Sequence, residues 1–176
     1  MKQQLDLLDV PRNRRTPFLF VPKEYKVQAL RECPTRPDMQ CIDTPDKAAA
    51  YWRAHIPAHP YFNPEVECLV AMIVNTRRMV KGHYLVSTGI LDTILVHARE
   101  VFRPAIVGTA TAIVLAHNHP SGDPSPSDAD IKVTRDLVRA GQLIKIELMD
   151  HIIMGRATPD RPRDYVSLRE LGYLCL

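Results

Sequence analysis

The stretch that most constrains this chain is a short apolar run ending in two histidines. Thr111-Ala112-Ile113-Val114-Leu115-Ala116 leads directly into His117-Asn118-His119-Pro120-Ser121-Gly122. A run of this length with β-branched members predicts a buried strand. Residues i and i+2 of a strand point to the same side. His117 and His119 therefore share one face at the strand's end, where two imidazoles can converge on one metal, while Asn118 points away.

The next element brings a third ligand. Ser125-Pro126-Ser127-Asp128 predicts a helix start, with Ser125 as N-cap, Pro126 at the first helical position and Asp128 placed for a capping box. Leu137 and Val138 continue the helix and Gly141 ends it. Ser127 and Asp130 are three apart and stack on one helical face. The set is then two histidines, one aspartate and a hydroxyl. Three protein ligands leave a fourth tetrahedral position for water, the pattern of a catalytic zinc. These ligand types suit Zn²⁺ and leave Fe²⁺, Mn²⁺ and Co²⁺ open.

A His-x-His pair alone carries little, because surface pairs are common. A (β/α)₈ amidohydrolase typically needs ~250 residues, and this chain has 176. The letters His-Asn-His do not make an HNH nuclease, whose named residues are spread along the chain.

His117-x-His119, seven residues, Ser127, two residues and Asp130 together resemble the JAMM motif of the JAB/MPN metalloprotease family. His117-Asn118-His119-Pro120-Ser121-Gly122, Asp150-His151-Ile152-Ile153-Met154-Gly155 and Tyr165-Val166-Ser167 are similar to the RadC-like branch. The likeness covers about residues 65 to 173. It implies an α/β fold of the JAB/MPN, cytidine-deaminase-like type: a curved β-sheet flanked by helices. It also implies one zinc per chain on His117, His119 and Asp130, and an earlier glutamate as general acid/base. Glu65-Val66-Glu67-Cys68 precedes an apolar run, Leu69 to Val74. Glu65 and Glu67 can share a face, so periodicity does not choose between them; the resemblance chooses Glu67. Ser127 is the resemblance's oxyanion donor, and a first-turn capping hydroxyl on its own spacing. Amide or isopeptide hydrolysis follows as the reaction class, with a protein or peptide substrate, ubiquitin-like conjugates among the classes it implies.

Two other readings belong to the same residues. The RadC name is tied to DNA repair, and a basic arm can bind nucleic acid. RadC proteins usually carry a helix-hairpin-helix region before this domain, and residues 1 to 60 show no Gly-rich hairpin of that kind. Some MPN proteins are non-catalytic scaffolds, but these typically lack ligands that this chain retains.

Composition fits a compact domain behind a different N-terminal segment. Hydrophobic residues make up 45%, enough for a real core. No run of 18 or more apolar residues suggests a membrane span, and Met1 to Asp6 lacks a signal peptide's apolar core. Cys33, Cys41, Cys68 and Cys175 lack Cys-x-x-Cys spacing and read as reduced thiols of a cytoplasmic protein. Residues 1 to 40 hold eight Lys/Arg against five Asp/Glu, so the whole net charge of +3 sits there. The expected organisation is a Pro-rich basic arm over 1–43, a helix and linker over 44–64, and the RadC-like domain over 65–176. Arg12, Arg14 and Arg15 give the arm a cluster for nucleic acid or an acidic protein surface.

Thr44-Pro45-Asp46 predicts a capped helix running to about Ile56. Strands are expected over Cys68–Asn75, Val80–Thr88 and Leu143–Met149. Val96 to Phe102 opens a helix that Pro104 should kink or shorten. His55, His59 and His83 lack partner spacing and read as surface or packing residues. Asp150-His151 is left between two roles, supporting the site or fixing a turn after the last of these strands. The segment from Ser167 is expected to pack its leucines and Tyr173 on the sheet.

Overall fold

A computed structural model of the chain describes residues 28–37, 40–89 and 96–175. The arm's arginine cluster lies outside these residues. Arg31–Leu176 forms one compact unit, separate from Met1–Leu30. Its elements are α1 (Pro45–His55), β1 (Cys68–Val74), β2 (Val80–Thr88), α2 (Ala98–Val107), β3 (Ala112–Asn118), α3 (Asp128–Ile144), β4 (Glu147–Met154) and β5 (Tyr165–Ser167).

The strands form one mixed sheet in the order β2-β1-β3-β4-β5. Only β3 and β4 run parallel; β1–β2, β1–β3 and β4–β5 are antiparallel. A parallel pair needs a crossover, and α3 supplies it. The central strand β3 is buried along its whole length. Its neighbour in register pairs Leu69 with His117.

Strand parity divides the core into two layers. Val70, Met72, Val74, Val114, Ala116, Ile152 and Met154 face α1 residues Ala48, Ala49, Tyr51 and Trp52. Leu69, Ala71, Ile113 and Leu115 face Val101, Phe102 and Ala105 of α2 and Val133, Leu137 and Val138 of α3. The result is a mixed α/β fold with helices on both faces of a five-stranded sheet. His117 and His119 continue the parity of Ile113 and Leu115, so they point towards α3.

Helix α1 matches its sequence signals. Thr44 caps it by accepting from the Lys47 backbone N–H, and Pro45 opens it. Tyr165 donates to Asp46 at 2.6 Å, and the Arg53 guanidinium pairs with Asp164, tying α1 to the β5 end of the sheet.

Three expectations are corrected. The N-cap of α3 is Ser127, not Ser125, and its capping-box partner is Asp130, not Asp128. Ser125 is already engaged, since its backbone N–H and its hydroxyl both bond Asp123 Oδ1. Helix α3 also runs past Gly141 to Ile144 and ends on Lys145, which takes the left-handed conformation at φ 59°. Gly141 is required for a different reason: a Cβ there would lie 2.4 Å from the Ile146 carbonyl oxygen. The strand expected at Leu143–Met149 is therefore shifted to Glu147–Met154, which places Asp150 and His151 inside it. Seven consecutive residues of β4 are buried, and a strand covered on both faces hides its alternation.

Helix α2 continues through Pro104 to Val107. The bond that Pro104 cannot donate is the one to the Glu100 carbonyl. Burial of Val101, Phe102 and Ala105 holds the helix together across that gap. At the C-terminal end, Leu168 is fully buried and Leu174 packs on the α3-side core, whereas Leu171 is exposed. Tyr173 lies under the Arg135 guanidinium, 5.9 Å from ring centroid to Cζ. All four cysteines are free thiols. Among the described residues no helix is long and apolar enough to cross a membrane.

Candidate metal centre

The end of β3 and the start of α3 bring His117, His119 and Asp130 together. One ligand atom from each lies within 4.8 Å of the others, the one such group among the described residues. His117 Nε2 is 3.0 Å from His119 Nε2. Asp130 Oδ1 is 3.3 Å from His117 Nε2, and Oδ2 is 3.5 Å from His119 Nε2. Ligand atoms about 2.0–2.1 Å from a tetrahedral zinc stand about 3.3 Å apart, so the three donors have the spacing that such an ion needs.

Proton placement supports the same conclusion. His119 Nδ1 lies 2.7 Å from the Asp123 carbonyl oxygen. A carbonyl only accepts, so Nδ1 carries the proton and Nε2 of the neutral ring presents a lone pair. His117 uses Nδ1 towards His151 Nε2 at 2.8 Å and turns Nε2 to the cluster. His117 and Asp130 are buried, and His119 is half-buried. Two neutral imidazoles and a carboxylate suit a borderline divalent cation.

Burial by itself would raise the Asp130 carboxyl. The facing His117 and His119 rings and the Ser127 hydroxyl outweigh it and hold that carboxyl far below the usual carboxylate range. The facing Asp130 carboxylate is the main influence raising His119, against the opposing effect of burial, with smaller help from the Asp123 carbonyl and the Glu67 charge. Asp130 is thus held in its ionised form at neutral pH.

Ser127 serves Asp130. Its hydroxyl donates to Asp130 Oδ2 at 2.6 Å, its backbone N–H reaches the same oxygen at 2.8 Å, and the Asp130 N–H returns to Ser127 Oγ at 3.2 Å. A capping box here also aims a candidate ligand.

Glu67 stands immediately before β1. Its charge reaches His119, and Glu65, two residues earlier, is exposed. The backbone on either side of Glu67 is held by Asn118. The Asn118 amide donates to the Val66 carbonyl at 3.0 Å, and its oxygen accepts from the Cys68 N–H at 3.0 Å. Asn118 points away from the metal ligands, as strand parity requires, and extends the β1–β3 pairing to the glutamate.

A family description of RadC-like JAB domains matches residues 42–173. The chain belongs to the RadC-like JAB domain family. It is 44% identical over 108 residues to a UPF0758 protein of Bacillus cereus (strain G9842), covering 61% of this chain and 45% of that protein. The UPF0758 protein of Symbiobacterium thermophilum is 45% identical over 109 residues, covering 62% of this chain and 44% of its own. A UPF0758 protein of Bacillus licheniformis is 45% identical over 108 residues, at 61% and 46% coverage. The chain thus spans less than half the length of these curated relatives.

Within this RadC-like JAB domain, Asp150 and His151 divide the two roles left open by the sequence. Asp150 accepts from Ser167 Oγ at 2.8 and 2.9 Å and from the Arg169 N–H at 3.1 Å, fixing β4 to β5. His151 faces the other way, onto His117. Its other nitrogen, Nδ1, lies 2.6 Å from Thr134 Oγ1. Burial pushes His151 well below the ordinary histidine range, and His117 adds to the effect.

Three supporting residues were missed by sequence reasoning. Asn118 was read only as pointing away. Thr134 carried a signal, being a polar residue one turn after Asp130 on a helix face otherwise packed by Val133, Leu137 and Val138. Arg161 carried none. Its guanidinium donates to Asp123 Oδ1, the Gly122 carbonyl and the Arg156 carbonyl, each at 3.0 Å. It thereby pins the loop whose Asp123 carbonyl orients His119. His55, His59 and His83 meet near Tyr51, with His83 Nδ1 2.9 Å from the Tyr51 hydroxyl. They lie outside the metal cluster, consistent with packing residues.

Proposed function

We propose that this domain is a zinc-dependent hydrolase that cleaves an amide or isopeptide bond in a protein or peptide substrate, with ubiquitin-like conjugates the first class to test. The observation that carries this reading is the convergence of His117, His119 and Asp130 beside Glu67. Zinc, when bound, supplies Lewis acidity towards water and an amide carbonyl.

The chain's own residues supply the rest. His117 and His119 present bare Nε2 atoms, and Asp130 adds the one negative charge among the three ligands. Glu67 takes a proton from the attacking water on its carboxylate and delivers it to the leaving nitrogen, a role typically contributing ~10²–10⁴-fold. Asn118 keeps the Glu67 backbone in line with β3 while it does so. Ser127 is the oxyanion donor of this reading. Its hydroxyl proton now points at Asp130 Oδ2, so that role needs the hydroxyl to swing towards substrate.

The test uses the full chain, reconstituted with zinc, against ubiquitin-like fusions and isopeptide conjugates. Glu67→Gln should keep its metal and lose ~10²–10⁴-fold in cleavage rate. If a cleaved substrate is turned over by Glu67→Gln at the wild-type rate, Glu67 is not the acid/base and Glu65 is the next residue to replace. Stoichiometric zinc without cleavage of any conjugate would favour a scaffold.

A further inference from the structure

His117, His151, Thr134 and Asp130 form a closed circuit. His117 Nδ1 meets His151 Nε2 at 2.8 Å, and His151 Nδ1 meets Thr134 Oγ1 at 2.6 Å. Thr134 Oγ1 in turn meets the backbone carbonyl of Asp130 at 2.6 Å. The circuit joins β3, β4 and α3, and His117, His151 and Thr134 are each fully buried.

Such a chain can run in two directions. In one, Thr134 donates to His151, His151 Nε2–H donates to His117, and His117 is left with its proton on Nε2, where it blocks a metal. In the other, His117 Nδ1–H donates to His151, His151 Nδ1–H donates to Thr134, and Thr134 donates onward. Only the second leaves His117 Nε2 bare. The Asp130 carbonyl decides between them, because it can only accept. At 2.6 Å the Thr134 proton must lie between the two oxygens, since otherwise two lone pairs would face each other at that distance. Thr134 then has no proton left for His151, so His151 Nδ1 must be the donor.

We infer that Thr134 and His151 are positioning residues that fix the proton of His117 on Nδ1 and so keep its Nε2 free to bind metal. This inference rests on the reading of His117 as a metal ligand. Thr134 acts as the terminal acceptor of the chain and donates its own hydrogen bond to the backbone carbonyl of Asp130, the second ligand residue. Without it, the metal-bound form would hold a buried His151 N–H with no partner. The metal-free form could escape by reversing the chain. The loss therefore falls on metal binding rather than on folding.

The test compares the full-length wild type with Thr134→Val, which keeps the shape and removes the hydroxyl, and with Thr134→Ser, which restores it. Zinc affinity is read by competition with a chromophoric chelator. Ring protonation of His117 and His151 is read by long-range ¹H–¹⁵N NMR on the metal-free protein. Thr134→Val should bind zinc ~10–100-fold more weakly, the usual effect of removing an outer partner of a ligand. Thr134→Ser should return to within a few-fold of wild type. Wild-type His151 should carry its proton on Nδ1, and Thr134→Val should move it to Nε2. A wild-type His151 protonated on Nε2, or Thr134→Val with wild-type zinc affinity, overturns the inference. Failure of every variant, wild type included, to bind zinc would refute the metal reading instead, and the NMR pattern would still decide the direction of the chain.

Discussion

At the scale of single residues, Asp130 has the most demanding position. It accepts from Ser127 twice and faces both histidines from a buried site. Asp130→Asn should therefore cut zinc content after dialysis to a small fraction of wild type, measured by elemental analysis. Retention of one zinc per chain would show that the histidines hold the ion without it. The convergence of these three candidate ligands was legible in the sequence because it depends on local geometry alone: a period of two at the end of a strand and a spacing of three on a helix. Glu67 was not separable from Glu65 by period. The register that pairs Leu69 with His117 and the Asn118 bonds fix the backbone around Glu67, and the Glu67→Gln experiment decides between the two. Neither the register nor those bonds are visible without knowing which strands are neighbours. Thr134 and Arg161 were missed for the same reason, since the partners that tie them to the site, His151 and Asp123, lie 17 and 38 positions away.

At the scale of elements, two junctions make predictions. Ser127 is the N-cap of α3 and braces Asp130, so Ser127→Ala removes both contacts. It should lower stability by about 0.5–2 kcal/mol in urea unfolding of the metal-free protein. An unchanged midpoint would mean that the capping bonds seen here contribute nothing net. The second junction packs α1 on β2 through Tyr51 and His83. Burial, then the nearby His55, His59 and Arg31 charges, push His83 down to about 4, against an ordinary value near 6.5. The unfolded chain then takes up a proton between these values that the folded chain refuses. The stability from keeping His83 neutral is fully present above about pH 6.5, falls as pH drops towards 4, and changes no further below that. Melting temperature should fall more steeply across this window in wild type than in His83→Gln; parallel curves would remove His83 from the account. Among the elements themselves, α1, β1 and β2 were read to within a residue or two because caps and turns mark their ends. The α3–β4 boundary was misread because Gly141 looks like a helix stop, whereas its lack of a side chain serves the close approach of the Ile146 carbonyl.

At the scale of the molecule, the compact unit begins at Arg31, and Ile42 is buried in the α1-side core. The Ile42 N–H also bonds the Arg78 carbonyl, and the Val80 N–H bonds the Gln40 carbonyl. A chain starting at Arg31 should melt within a few degrees of the full chain, and one starting at Thr44 should melt well below it. Equal loss from both truncations would mean that residues 1–30 contribute to the stability of the unit. The α/β class was legible from the sequence through the resemblance that the His117, Ser127 and Asp130 spacing carries. The strand order was not, because it is set by which apolar faces meet α1 and which meet α2 and α3.

The three candidate metal ligands lie within residues 117–130, and this closeness along the chain reaches beyond the folded state. A denatured polypeptide keeps His117, His119 and Asp130 on one short tether, able to chelate. A cation shared between both ends of the unfolding equilibrium stabilises only by the difference in its two affinities. Calorimetric scans with increasing zinc should therefore rise at first and then flatten, well short of the shift calculated from native-state affinity alone.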